Sequence, residues 1–266
     1  VSNAGDWAGR DLGERQVSYD ERDAILYALA VGAPADDLDL VFEERLRVLP
    51  TFALTLAQWA PDALGSAGAF DIRTAVHGAQ RLDVRAPLPR AGSFTMKASV
   101  ANVWDKGSAA VFEVAVESEH FVATWSLFAP GAGGFGGQRG PSSPAAPAAP
   151  DLELELPTRP EQAALYRLLG DRHHMHVDPA AAQAAGQPRP FLHGLCSVAA
   201  VTLPLAASLG AHPADLTSLS ARFAGPVFPG DVLSVGATTD RAAASASFTA
   251  TVGDRAVLTG CSASFA

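Results

Sequence analysis

The chain has 266 residues, 48% hydrophobic and 18% charged, with 24 Gly, 19 Pro and 2 Cys, which is ample for a buried core and too apolar for a disordered chain. Its net charge of −9 argues against a broad nucleic-acid-binding surface, because phosphate binding needs clustered cations. Cys196 and Cys261, both in apolar surroundings, make neither a disulfide framework nor a metal-ligand pattern and read as buried free thiols.

In chain order, residues 1–10 lack a basic region followed by an apolar run, so no secretory signal is expected and the chain reads as cytoplasmic. Helical patterns follow at 20–31 and 49–59, then strand-like runs at 79–88, 93–103, 109–117 and 121–128, turned at Asp105-Lys106-Gly107 and Glu117-Ser118-Glu119. In residues 131–150, 15 of 20 are Gly, Pro or Ala, so the segment holds neither a helix nor a sheet ladder and divides the chain. Helices are expected again at 162–169 and 195–209, with strands at 219–228, 232–239, 244–252 and 255–265. Residues 190–211 carry no Asp, Glu, Lys or Arg, a length that raises a membrane span, but His193, Pro204 and the Ser and Gly residues suit a buried core helix.

The halves share details at nearly constant offset. Pro87-Leu88-Pro89 with Gly92 answers Pro226-Val227-Phe228-Pro229-Gly230, and Trp125-Ser126-Leu127-Phe128-Ala129 answers Ser262-Ala263-Ser264-Phe265-Ala266. This is the pattern of a duplicated module. A helix followed by a strand meander in each copy predicts an α+β architecture, an antiparallel sheet wrapped around a central helix, twice, with the two sheets edge to edge.

Chemistry concentrates in Gly170-Asp171-Arg172-His173-His174-Met175-His176-Val177-Asp178-Pro179 and in Arg189-Pro190-Phe191-Leu192-His193-Gly194-Leu195-Cys196. Pro179 and Pro190 bound an irregular stretch, so Asp171 and His176 fall on a loop and Gly194 opens the next helix. A carboxylate and an imidazole so placed can converge on one water and move protons, since imidazole titrates at roughly 6.5. Free N–H groups at the start of the helix at 195–209 can polarise a carbonyl. The same residue types leave a second reading open, in which His173, His174, His176 and Asp178 are zinc donors. His193 reads either as a ligand contact or as a buried histidine holding the loop against the helix.

This constellation is similar to the (3R)-specific 2-enoyl-CoA hydratases of the MaoC-like dehydratase family, which include the hydratase part of peroxisomal multifunctional enzymes. The family pattern runs Tyr-Arg-Leu, two residues, Asp-x-Asn-Pro-Leu-His-x-Asp-Pro, and later Pro-Ile-Leu-His-Gly. Tyr166-Arg167-Leu168, Asp171, His176, Asp178-Pro179 and Pro190-Phe191-Leu192-His193-Gly194 fall in register with it. The likeness extends to Val76-His77-Gly78 with Gln80, to Pro87-Leu88-Pro89-Arg90-Ala91-Gly92 and to Gly133-Gly134-Phe135-Gly136-Gly137. It departs at His173-His174-Met175, where the family has Asn-Pro-Leu, and at Ala79, where it has an acidic residue.

The resemblance implies a double hot-dog fold, with residues 1–130 a non-catalytic repeat accommodating the acyl chain, 131–150 a linker and 151–266 the catalytic repeat. Asp171 and His176 would hold the catalytic water and the Gly194 amide the thioester oxygen, with His173, His193, Arg90 and Arg222 as substrate contacts. No metal or redox cofactor is needed, CoA being part of the substrate. Its phosphates need cations, for which Arg85, Arg90, Lys97, Arg139, Arg189 and Arg222 are candidates. The expected partner is an acyl-CoA or acyl-carrier thioester; a homodimer is allowed, and neither nucleic acid nor membrane is expected. The alternatives are a hot-dog acyl-CoA thioesterase and a non-catalytic acyl-thioester binding protein. His77-Gly78 is read as the counterpart of His193-Gly194, catalytically silent for want of an Asp and His pair. Gly131–Gly137 reads equally as backbone approaching the ligand or as plain linker.

Overall fold

The computed structural model describes residues 3–142 and 149–266; the middle of the expected linker, 143–148, lies outside the described residues. The first half contains strand β1 (Asp11–Tyr19), helices α1 (Glu21–Ala30), α2 (Leu38–Val41), α3 (Phe52–Leu56) and α4 (Trp59–Ser66), and strands β2 (Val76–Val84), β3 (Gly92–Asp105), β4 (Ala109–Glu117) and β5 (Phe121–Pro130). The second contains β6 (Leu152–Pro157), α5 (Gln162–Tyr166), α6 (Pro179–Ala184), α7 (Gly194–Leu209), β7 (Leu216–Phe223), β8 (Val232–Asp240), β9 (Ser245–Val252) and β10 (Arg255–Phe265).

The ten strands form one antiparallel sheet in the order β1-β3-β4-β5-β2-β7-β10-β9-β8-β6. The order reads the same from either edge once each strand is exchanged for its repeat partner, as a duplication requires. The halves join where β2 pairs with β7, Ala79 facing Arg222 and Asp83 facing Ser218. The sheet is therefore continuous across the repeats, and its core face covers the helices.

Why α7 is the central helix is plain from its residues. Gly194–Leu209 is apolar nearly all round and buries 11 of its 16 residues, the mark of a helix enclosed on every side. It stops at Gly210, whose φ of 75° closes the last turn in the left-handed conformation. In the first half the single helix expected at 49–59 is two short ones. Pro61 accounts for the break, because it has no N–H to give the carbonyl of Ala57 and its ring crowds that carbonyl, so a helix can begin just before it but not run through it.

Two strands escaped the sequence reading, β1 and β6, and each is an outer edge of the sheet. The alternation Leu152-Glu153-Leu154-Glu155-Leu156 signals β6 directly; β1 is mostly polar because only one of its edges is paired. The expected linker also begins too early. Asp105, 6% exposed, accepts N–H bonds from Gly107, Gly134 and Gly136 at 2.8–2.9 Å, and these backbone bonds hold its carboxyl down at about 2. A Cβ on Gly133 would lie 2.4 Å from the Ala109 carbonyl oxygen. Gly131–Gly137 is thus an ordered loop bound to the β3–β4 turn rather than a plain linker.

Candidate active site

The loop between α5 and α6 is fixed at both ends by local chemistry. Tyr166, at the end of α5, is buried and packs its ring on His193, centroids 4.8 Å apart. Asp178 caps α6 by accepting the Ala180 N–H at 2.9 Å. Pro179 follows at the first helical position, where its missing N–H costs nothing. Between these anchors the chain must turn back on itself, and in doing so it presents Asp171 and His176 toward the start of α7.

There the two side chains meet His193. Ligand-capable atoms of Asp171, His176 and His193 all lie within 4.8 Å of one another. His176, 8% exposed, donates Nδ1–H to the Phe191 carbonyl at 2.8 Å, which leaves Nε2 with its lone pair. Burial pulls its pKa below the ordinary value, against the opposing field of Asp171. His193, 2% exposed, donates Nε2–H to the Asp171 carbonyl at 3.1 Å. Burial first, then its neighbour His176, push it down to about 3, so near neutrality it is an uncharged strut binding the loop to the helix.

Asp171 behaves in the opposite way. Burial opposes its ionisation, but the hydrogen bond from His173 and the fields of the surrounding imidazoles outweigh burial and hold it well below the usual carboxylate range. Because His193 is neutral at pH 7, His173 is the cation chiefly responsible. Its Nδ1 lies 2.5 Å from Asp171 Oδ1, and this contact raises it to about 9. His173 therefore touches the Asp171 carboxylate, where a substrate contact was expected.

The four donors of the zinc reading, His173, His174, His176 and Asp178, are not brought together: among the described residues the group close enough to share an ion is Asp171, His176 and His193. His173 faces carboxylates, Asp178 caps a helix, and His176 and His193 stack with centroids 3.7 Å apart and planes at 27°. Near-parallel rings cannot both aim an in-plane lone pair at an ion about 2.0–2.1 Å away.

Gly194 is the first residue of α7, whose opening N–H groups have no carbonyl four residues back to bond. Its lack of a side chain is required: a Cβ would lie 2.7 Å from the ring of Phe223 on β7. Phe223 also carries a residue the sequence reading had set aside, since His77 of β2 packs on it at 4.7 Å. Burial lowers His77 to about 4, while Asp171 is near enough to pull the other way. His77-Gly78 lies on β2, the strand that answers β7, so it is not the counterpart of His193-Gly194. Pairing β2 with β7 across the duplication would have revealed this.

The expected cations mostly lie elsewhere. Arg222, one residue before Phe223, belongs to the opposite, exposed face of β7, since neighbouring strand residues point to opposite sides. Arg90 is exposed and donates to the Glu43 carbonyl at 3.2 Å. Arg85 and Lys97 are paired with Glu117 and Glu14. Arg189, on the segment leading into α7, lies over Phe228 at 4.8 Å, with Arg255 over the same ring at 5.9 Å; Arg255 was missed because it stands 66 residues away in sequence.

Both halves of the chain match known families. Residues 17–128 match the MFE-2 hydratase 2 N-terminal domain, and residues 142–257 the MaoC like domain. The chain is 41% identical over 234 residues to 3-hydroxyacyl-thioester dehydratase Y of Mycobacterium tuberculosis, covering 81% of this chain and 80% of that protein. It is 38% identical to enoyl-CoA hydratase ChsH3 of the same organism, covering 94% of each. The crystal structure of a MaoC-like dehydratase from Phytophthora Capsici superposes on 100% of this chain and 98% of that one, with a TM-score of 0.86 and 25% identity.

Proposed function

The chain belongs to the MaoC-like dehydratase family, with a hydratase 2 N-terminal domain before the MaoC-like one, and from that premise we propose how its residues carry out (3R)-specific hydration of trans-2-enoyl-CoA and the reverse dehydration. It is a hydro-lyase acting on enoyl thioesters. The observation that supports the residue assignment is the convergence, within 4.8 Å, of an ionised carboxylate and an imidazole with a free Nε2 lone pair, beside the N-terminus of a buried helix.

A gap of that width suits one water bonded to both groups. His176 Nε2 takes a proton from the water as its oxygen bonds to C3, and the C2–C3 π electrons move toward the thioester. The developing enolate oxygen accepts the Gly194 N–H, aided by the positive end of α7. His176 then returns the proton to C2 on the face where oxygen was added. Asp171 accepts a hydrogen bond from the water's other hydrogen, which stays on the oxygen as the new hydroxyl, and steadies the imidazolium. Water's atoms are all accounted for, and the groups act in reverse order in dehydration. No metal or redox cofactor enters the scheme.

Residues 1–130 form the repeat that accommodates the acyl chain and 151–266 the one that carries the reacting groups. Among the cations, Arg189 stands nearest to Gly194 along the chain, with Asp231 3.9 Å from its guanidinium, and it is the candidate for the CoA phosphates. Two buried, unpaired thiols fit a reducing compartment such as the cytoplasm. Among the described residues no helix is long and apolar enough to cross a membrane.

The test is the absorbance of the enoyl-thioester band with crotonyl-CoA and a long-chain trans-2-enoyl-CoA, followed by chiral analysis of the product. Loss of the band with a (3R)-hydroxy product is the expected result. Free thiol in its place would replace this reading with the thioesterase, and tight binding without turnover by folded protein would replace it with the binding protein.

A further inference from the structure

The catalytic loop is held from outside its own repeat. At Gly170 a Cβ would lie 2.7 Å from the Thr55 carbonyl oxygen at the end of α3, so the first repeat's short helices press directly on the loop. One turn further, on α4, Asp62 places Oδ1 3.9 Å from His173 Nε2, and Gln58 Nε2 donates to the same Asp62 oxygen at 3.3 Å. On its other side the His173 ring meets Asp171 Oδ1 at 2.5 Å, and the His173 backbone N–H donates to that oxygen too, at 3.1 Å. The imidazole is thus bracketed by two carboxylates, one from each repeat.

We propose that Asp62 is a positioning residue for the reaction: it holds the far nitrogen of His173, which in turn fixes the orientation of Asp171 toward the catalytic water. An imidazole hydrogen-bonded to one carboxylate and within ion-pair distance of a second is favoured as the cation, with hydrogen on both nitrogens. With Oδ1 bound twice by His173, Oδ2 is left for the water. An asparagine at 173 donates to one oxygen but brings no charge, so the two-carboxylate bracket belongs to this chain's His173.

The charged and titratable groups facing the bracket are few. Asp171 and His176 share its loop, His193 faces it from the start of α7, and Asp62 faces it from α4 with Arg15 of β1 behind. His173 is raised to about 9, by the bond to Asp171 first and by the fields of Asp171 and Asp62 after burial is overcome. Activity should therefore fall on the alkaline side as His173 loses its proton.

This inference rests on Asp171 and His176 being the water-holding pair, and its test separates the two. Asp62→Asn, His173→Asn and the double variant are compared by kcat, KM and pH profile, and the His173 ring is titrated by NMR in the wild type and in Asp62→Asn. The expected result for Asp62→Asn is a severalfold fall in kcat with KM unchanged, and an alkaline limb and a His173 titration both lowered by about one pH unit, the smaller end of what a nearby opposite charge produces. His173→Asn should lose that limb and lower kcat at least as far as Asp62→Asn does, and adding Asp62→Asn to it should change nothing more. An unmoved His173 titration in Asp62→Asn overturns the proposal, as does an equal loss from Asp62→Asn in the His173→Asn background. If the wild type hydrates neither substrate, the hydratase reading fails, and the NMR titration still decides whether Asp62 holds His173.

Discussion

The two repeats share one strand plan and differ in the helix at its centre. In the second, α7 runs sixteen residues without interruption, and its buried N-terminus meets a loop bearing Asp171 and His176. In the first, Pro61 splits the corresponding segment into α3 and α4, and no buried helix of comparable length begins there. The difference teaches that a long, buried helix lets the second repeat hold its unpaired N–H groups at a fixed point beside that loop. The first repeat instead meets that loop from outside, with Thr55 against Gly170 and Asp62 beside His173, and its His77 packs on Phe223.

The strongest way to break the comparison is to remove the reacting groups from the second repeat. Asp171→Asn and His176→Ala should each lower kcat/KM by about a thousandfold or more, within the range for a positioned acid or base, with circular dichroism and melting close to wild type. Substantial activity in either variant would mean that catalysis does not depend on the loop of the second repeat. Next comes Gly194→Ala. The added methyl would meet Phe223 at 2.7 Å and push the helix N-terminus away from the thioester oxygen, so kcat should fall by about a hundredfold, the size of losing one oxyanion donor. Smaller residues at 223 should restore part of it, which a kinetic comparison of Gly194→Ala with Gly194→Ala/Phe223→Leu would reveal.

Much of this was readable from the residues alone. The sequence singled out the stretch that carries Asp171 and His176, which the structure brings together with His193 at the start of α7, and strands β4 and β10 fall where alternation and turn signals put them. What escaped has physical reasons. Edge strands such as β1 bury little, so their pattern is weak. The role of Asp105 depended on backbone N–H groups nearly thirty residues further on, which no side-chain pattern encodes. The approach of Asp62 and His77 to the catalytic loop is a contact between repeats, set by how β2 pairs with β7. Arg222 was misplaced because a cation near a strand end gives no sign of which face it takes.

Each repeat also contributes one neutral histidine, His77 half-buried and His193 buried, and acid should unsettle both. The unfolded chain protonates a histidine near 6.5, whereas folded His77 and His193 resist to about 4 and about 3. Their contribution to stability is thus complete above pH 6.5 and is lost as the pH falls toward those lower values. Thermal melts should shift downward by several degrees between pH 6.5 and 4, and His193→Gln should flatten the profile in that window. A melting temperature that rises over the same interval would show that these rings are charged in the fold.

The smallest effect is expected at Gly78, and it sharpens the comparison most economically because the same dipeptide, His-Gly, occurs in both halves. Gly194 stands against an aromatic ring, whereas a Cβ on Gly78 would lie 3.5 Å from the Ser126 carbonyl oxygen and 3.8 Å from Phe128, ordinary contacts. Gly78 also sits within a strand, at the irregularity in register between His77 and Ala79, and not at the start of a helix. Gly78→Ala should therefore leave kcat/KM within about twofold of wild type and leave stability unchanged or raised by up to about 1 kcal/mol through a less flexible unfolded chain. Parallel kinetics on Gly78→Ala and Gly194→Ala would then separate position from sequence, since a loss of similar size in both would mean that the first repeat's His-Gly takes part in the reaction after all.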